Sequence, residues 1–257
     1  MITRTKLFSP QLERDITLRI YTPPGYDEDE SIHYPVGYFF DGQNLFEPEA
    51  SSYGMIWAAD QAVEDLGLDM ILIGLDSSEK ERLGEYSPWR FGPYVREELF
   101  HDRGGRGDLS ARFLVKEVIP WVKQVYRTDG RQLVAGSSLG GVMSLYCAIT
   151  YPEEFQWVLA MSTAAWVFQD DMEDYLKQLD PQFNQRVYLD AGTDESKEEN
   201  FDTLYLESNR RLAHIICQTG VTYKLFIEAG GRHNEDAWRR RLPKALDWLI
   251  NEQWEES

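Results

Sequence analysis

The sequence predicts one α/β domain spanning residues 1–257, built on a single doubly wound, mostly parallel sheet of about eight strands with flanking helices. Three observations carry this. The opening stretches alternate apolar and polar residues, as a half-buried antiparallel pair does. From residue 34 onward, short apolar runs alternate with stretches of helical spacing, the pattern of parallel strands joined by crossover helices. Residues 131–148 then read as strand, sharp turn and helix with no gap between them. No linker, repeat or low-complexity tract interrupts the chain.

The elements follow in order. Ile16, Leu18 and Ile20 alternate with Thr17, Arg19 and Tyr21, and Ser9-Pro10 turns the chain between two strands within residues 4–22. Residues 34–40 are a nearly continuous apolar run, as expected of a strand buried on both faces. This run leads into Asp41-Gly42-Gln43-Asn44, a polar loop at the carboxyl end of a central strand, where α/β sheets place functional backbone. Helical spacing over residues 56–66 ends at Gly67. Residues 70–75 form a further buried strand.

Residues 77–107 are the longest irregular stretch, and their aromatic content predicts a pocket wall rather than disorder. Arg82, Glu85 and Trp89 are its candidate substrate-binding residues, with an ion pair that pins the loop as the favoured role for Arg82 and Glu85. Asp108 is expected to cap the next helix, whose buried stripe is Leu109, Phe113, Val118, Val122 and Tyr126 and which Pro120 should kink. After the strand and helix of residues 131–150 come a strand (157–162), a loop (164–169), a short acidic helix (170–179) and a strand (187–192). A long helix over 200–219 points Leu204, Leu212, Ile215 and Ile216 inward. The last strand (223–228) passes through Gly230-Gly231-Arg232-His233 into a closing helix with Trp238, Leu242, Leu246 and Leu249 on its apolar face.

Gly136-Ser137-Ser138-Leu139-Gly140 is G-x-S-x-G between a strand and a helix. Ser138 then stands at the tip of a sharp turn, and the Leu139 N–H, at the helix start, faces the place where an oxyanion would form. The N–H of Gln43 or of Gly42 is the candidate second donor. A serine hydroxyl needs a base to become a nucleophile. His33 precedes a strand at the opposite end of the sheet, His101 lies in the long loop and His214 lies within a helix. His233 follows the last strand directly, so it emerges at the same edge as Ser138. The imidazole needs a carboxylate partner, and Asp194 and Glu195, just after a strand, supply two candidates. The chain order Ser, acid, His is that of the α/β-hydrolases.

The net charge of −18 excludes nucleic acid and anionic membrane as natural partners, because the long-range field repels phosphate. Cys147 and Cys217 both fall in apolar helical patterns and read as buried thiols. No histidine or cysteine spacing suits a metal, and no G-x-G-x-x-G follows a strand, so no cofactor is expected. The N-terminal residues lack the apolar core of a signal peptide and no run reaches membrane-spanning length, so a cytoplasmic protein is expected.

Glu117-Val118-Ile119-Pro120-Trp121, Tyr126-Arg127-Thr128 and Ala135-Gly136-Ser137-Ser138-Leu139-Gly140-Gly141 together resemble the putative-esterase family of the α/β-hydrolase superfamily. That branch includes esterase D, enterochelin esterases and feruloyl or acetyl-xylan esterases. Phe40-Asp41-Gly42-Gln43-Asn44, Arg82-Leu83-Gly84-Glu85-Tyr86-Ser87-Pro88 and Gly231-Arg232-His233-Asn234-Glu235 are similar to further stretches of the family. The resemblance implies the α/β-hydrolase fold and serine-dependent ester hydrolysis, with Ser138 as nucleophile, His233 as base and Glu195 favoured as the acid. The expected partner is a small-molecule ester. Competing readings are a siderophore trilactone hydrolase, using Arg82, Arg90, Arg96, Arg103 and Arg106 as a cationic pocket, an acyltransferase, and a non-catalytic scaffold.

Overall fold

In the computed structural model, which describes residues 1–91, 104–196 and 198–252, every residue of strand β3 (Tyr34–Phe40) is buried. Its side chains alternate between two apolar layers. Tyr38 and Phe40 enter one core, and Phe39 enters the other. A strand so placed must lie in the middle of a sheet covered on both faces.

The sheet has eight strands in the order β1-β2-β4-β3-β5-β6-β7-β8. The remaining strands are β1 (Ile2–Ser9), β2 (Arg14–Tyr21), β4 (Ile71–Leu75), β5 (Thr128–Ser137), β6 (Trp157–Met161), β7 (Arg186–Gly192) and β8 (Thr222–Glu228). β1 pairs antiparallel with β2, and β2 antiparallel with β4. Every pairing from β4 through β8 is parallel. The carboxyl ends of β3, β5, β7 and β8 therefore open on one rim.

Helices α1 (Ala59–Asp65) and α8 (Glu235–Leu246) pack on one face, around Phe39, Leu72, Leu133, Leu159, Tyr188 and Trp238. The other face carries α3 (Gly107–Phe113), α4 (Ile119–Val125), α5 (Leu139–Thr150), α6 (Gln169–Leu176) and α7 (Glu199–Thr219). The single turn α2 (Arg82–Glu85) lies in the long connection after β4.

Several local expectations change. α1 begins only at Ala59, because Ala58 takes a left-handed φ of 48° that no helix continues. Asp108 does not cap α3; the N-cap is Arg106, and Asp108 lies in the first turn, where its charge favours the helix dipole. Pro120 lies in the first turn of α4, which follows a π-turn over Leu114–Val118, a position where its missing N–H is tolerated. Leu204 is 38% exposed, since the inward row of α7 is Tyr205, Ser208, Asn209, Leu212, Ala213 and Ile216, of which Ser208 and Asn209 are invisible to an apolar count. Cys147 is buried, but Cys217 is exposed, one helical step beyond Ile216. His101, Arg96 and Arg103 lie outside the described residues. Among the described residues, no helix is long and apolar enough to cross a membrane.

Candidate active site

β5 ends at Ser137, and Leu139 opens α5, so a single residue makes the reversal. That residue, Ser138, has φ 56° and ψ −123°, a strained conformation for a non-glycine residue. The turn closes this tightly because the positions two residues to either side, Gly136 and Gly140, lack a side chain. A Cβ on Gly136 would sit 2.4 Å from the Gly140 carbonyl group. The Ser138 N–H is used by Met161 O at 2.9 Å. Leu139, as the first helical residue, carries one of the N–H groups that have no partner within the helix.

The loop after β3 is a 3₁₀ turn over Gly42–Asn44, entered through Asp41 at φ 58°. The Asp41 carboxylate takes a two-pronged bond from Arg82, at 2.7 and 2.6 Å, and its N–H donates to the Tyr86 hydroxyl. The Gln43 side chain is held by Ser77, whose N–H donates to Gln43 Oε1 at 3.0 Å. Asn44 donates to Glu235 Oε1 at 3.1 Å. These bonds fix the main chain at Gly42 and Gln43 on the same rim as Ser138.

The loops after β7 and β8 extend the pairing of their strands. Thr193 N–H donates to Glu228 O, and Asp194 N–H to Gly231 O, both at 3.0 Å. The two chains touch at Gly192 and Gly231, where a Cβ on Gly192 would meet the Gly231 carbonyl oxygen at 2.0 Å. This contact delivers His233 to Glu195. The ring Nδ1 lies 2.8 Å from Glu195 Oε2, and the His233 N–H donates to the Glu195 carbonyl. Glu195 Oε1 accepts from the Gly192 N–H at 2.6 Å and from Ser162 Oγ at 2.7 Å. Burial alone would raise the Glu195 carboxyl, but the bond from His233 and the Gly192 and Ser162 donors hold it below its ordinary value. Asp194 points the other way, 3.5 Å from Arg232.

Ser138 and His233 line one cavity of about 290 Å³, together with Asp41, Gln43, Asn44, Arg82, Glu235, Tyr53, Met55 and Trp238. No hydrogen bond joins Ser138 to His233; the Tyr205 hydroxyl faces the Ser138 side chain, and the Tyr205 ring packs 4.9 Å from the imidazole. Burial raises the Glu235 carboxyl above its ordinary value. Of the candidate substrate-binding residues, only Arg82 reaches this cavity. Glu85 is 1% exposed and bound to Arg14, and Trp89 packs against Tyr146, Phe168 and Tyr175. Arg106 pairs with Glu81 outside the cavity. Tyr205, Ser162 and Glu235 were not singled out from the sequence. Tyr205 and Ser162 carry no motif, whereas Glu235 follows His233 closely enough to have been suspected.

Comparisons with known proteins bear on the fold and the family. The uncharacterized protein YbbA of Bacillus subtilis (strain 168) is 26% identical over 238 residues, covering 90% of each chain. Among solved structures, an IroE-like serine hydrolase from Shewanella oneidensis superposes with a TM-score of 0.77 at 18% identity, covering 97% of this chain and 82% of that one. A ferulic acid esterase superposes with a TM-score of 0.71 at 17% identity, covering 98% of both. The α/β-hydrolase fold is thus shared at low identity. The Esterase model, described as putative esterase, matches residues 9–249, nearly the whole chain, so this protein belongs to the putative-esterase family.

Proposed function

We propose that this chain is a serine esterase in which Ser138 is the nucleophile, His233 the general base and Glu195 the acid. The observation that carries this reading is the convergence of a strained, cavity-lining Ser138 with an imidazole whose Nδ1 is already committed to a buried carboxylate. Commitment of Nδ1 leaves Nε2 to take the serine proton. The absence of a Ser138–His233 bond does not oppose this role, because such bonds often close only with substrate bound.

The steps follow from the geometry. Ser138 Oγ attacks the ester carbonyl carbon as its proton passes to His233 Nε2. The carbonyl oxygen becomes negative and is met by the Leu139 N–H and by the N–H of Gln43 or Gly42. Collapse breaks the bond to the alcohol, which leaves with the proton from His233. Water then gives a proton to His233, attacks the acyl group and releases the acid, restoring Ser138. Glu195 stays ionised throughout and stabilises the imidazolium.

The cavity is at the small end of ligand sites, with Tyr53, Met55 and Trp238 as its apolar lining. This favours esters of small or aromatic acids. A triscatecholate would need several cations, whereas among the described residues the cavity presents Arg82, already bound by Asp41. The test is a panel of esters on purified protein and on Ser138→Ala. Turnover of at least one ester, lost in the variant together with fluorophosphonate labelling, supports the reading. Hydrolysis that survives in Ser138→Ala refutes it.

A further inference from the structure

Beneath the His233–Glu195 pair lies a buried polar chain that none of the steps above uses. Ser162, the first residue after β6, is fully buried and has a φ of 41°. Its Oγ donates to Glu195 Oε1 at 2.7 Å. The same oxygen accepts from Trp238 Nε1 and from Arg241 Nη2, each at 3.0 Å. With both lone pairs filled, the hydroxyl proton has one direction left, toward the carboxylate.

Ser162 is itself anchored. Its N–H donates to Asp190, to the carbonyl and to Oδ1, both at 3.0 Å. Asp190 Oδ1 lies 3.1 Å from Arg241 Nη1, and this ion pair is only 2% and 0% exposed. Two strands and a helix therefore hold one hydroxyl in place. The terminal torsion of a glutamate is soft and roughly two-fold. The two donors on Oε1, the Ser162 hydroxyl and the Gly192 N–H at 2.6 Å, together turn Oε2 toward the imidazole, and loss of the hydroxyl leaves the Gly192 bond to hold it alone.

We propose that Ser162, held by Arg241 and Trp238, is a positioning residue for ester hydrolysis, whose hydroxyl fixes the rotation of the Glu195 carboxylate so that Oε2 faces His233 Nδ1. The proposal rests on the reading of Ser138, His233 and Glu195 as the reacting set. The titratable groups around the carboxylate are His233 from the β8 loop, Asp190 on β7, Glu228 on β8, Arg241 on α8 and Tyr205 on α7.

Ser162→Gly separates positioning from a backbone role. Glycine takes a φ of 41° freely and keeps the N–H that binds Asp190. Ester kinetics and the low-field Nδ1–H proton resonance of His233 are measured in the parent chain, in Ser138→Ala and in Ser162→Gly. In Ser162→Gly, kcat should fall about 10- to 100-fold, the effect of losing a hydrogen bond to a charged group. KM should stay near its parent value, and the resonance should broaden or shift. Parent-like kcat overturns the proposal, and so does a loss of kcat with the resonance unmoved. Should Ser162→Gly fail to fold, Ser162→Cys carries the same test with a weaker donor, and parent-like kcat and resonance in that variant overturn the proposal equally. Parent-like turnover in Ser138→Ala removes the underlying reading, whereas an inactive Ser138→Ala beside a parent-like Ser162→Gly removes this inference alone.

Discussion

His233 Nδ1 and Glu195 Oε2 lie 2.8 Å apart although 38 positions separate the two residues in the chain. Asp194, next to Glu195, faces outward toward Arg232 instead. The bend after β7 explains the split, since Glu195 is turned inward by the Gly192 N–H and the Ser162 hydroxyl on its Oε1.

Glu195→Gln should therefore cost far more than Asp194→Asn. The amide keeps the shape but donates where the carboxylate accepts, which favours the wrong imidazole tautomer. A loss of about 10⁴-fold in kcat is the scale for such a change in a triad. Asp194→Asn should leave kcat near the parent value. Equal losses in the two variants, read from steady-state kinetics, would contradict the assignment of Glu195.

Stability should depend on pH in two opposed ways. Glu195 is held below its ordinary value in the folded chain, burial being outweighed by the bonds from His233, Gly192 and Ser162. Its contribution is then fully present above the unfolded value of about 4.3 and is lost as pH falls through the lower folded value. Glu195→Gln should melt below the parent at neutral pH, and the gap should close as pH drops below about 4. Asp190 works the other way, because burial raises it to about 6. Its ionisation weakens the fold as pH rises from about 4 to 6. Thermal unfolding followed by circular dichroism across this range checks both slopes; a gap for Glu195→Gln that does not change with pH would contradict the first.

Ser138→Gly should be inactive yet more heat-stable than Ser138→Ala. The strain of a non-glycine residue at φ 56° is of order 1–3 kcal/mol, and glycine relieves it while alanine retains it. Comparing the melting temperatures of the two inactive variants isolates this strain. A lower melting temperature for Ser138→Gly would show that the turn stores none.

Gly136→Ala should damage both stability and turnover. The new methyl group would meet the Gly140 carbonyl group at 2.4 Å, with backbone rather than a movable side chain in its way. Overpacking of this kind costs about 1–3 kcal/mol. Relief requires α5 to move away from β5, which carries Ser138 with it. Normal kcat in a folded Gly136→Ala would show that the elbow tolerates a wider turn.

Much of the architecture was legible because it rests on periodicity. The continuous apolar run of β3 and the alternation in β2 mark a central and a more peripheral strand. His233 was legible because it follows a parallel strand directly. What escaped was set by tertiary contact. Leu204 looked inward because apolar residues were counted, whereas Ser208 and Asn209 hold the buried row of α7 through hydrogen bonds. Glu85 forms a loop-pinning ion pair, as its sequence reading favoured, but the identity of its partner Arg14 was not legible, and Trp89 is drawn into packing by Tyr146 from a distant element. Ser162 has no local signature, since its function depends on Arg241 and Trp238, which no spacing rule connects to it.

The contact between Gly192 and Gly231 has a consequence for how the two loops can open. Their main chains are laced together by the continuing β7–β8 hydrogen bonds, so neither loop swings on its own hinge. Deuterium uptake at the amides of Asp194 and His233 should accordingly follow the slow strand interior rather than the fast surface turns. Natural or engineered length changes would be absorbed elsewhere along the rim, leaving this seam as the rigid clasp of the molecule.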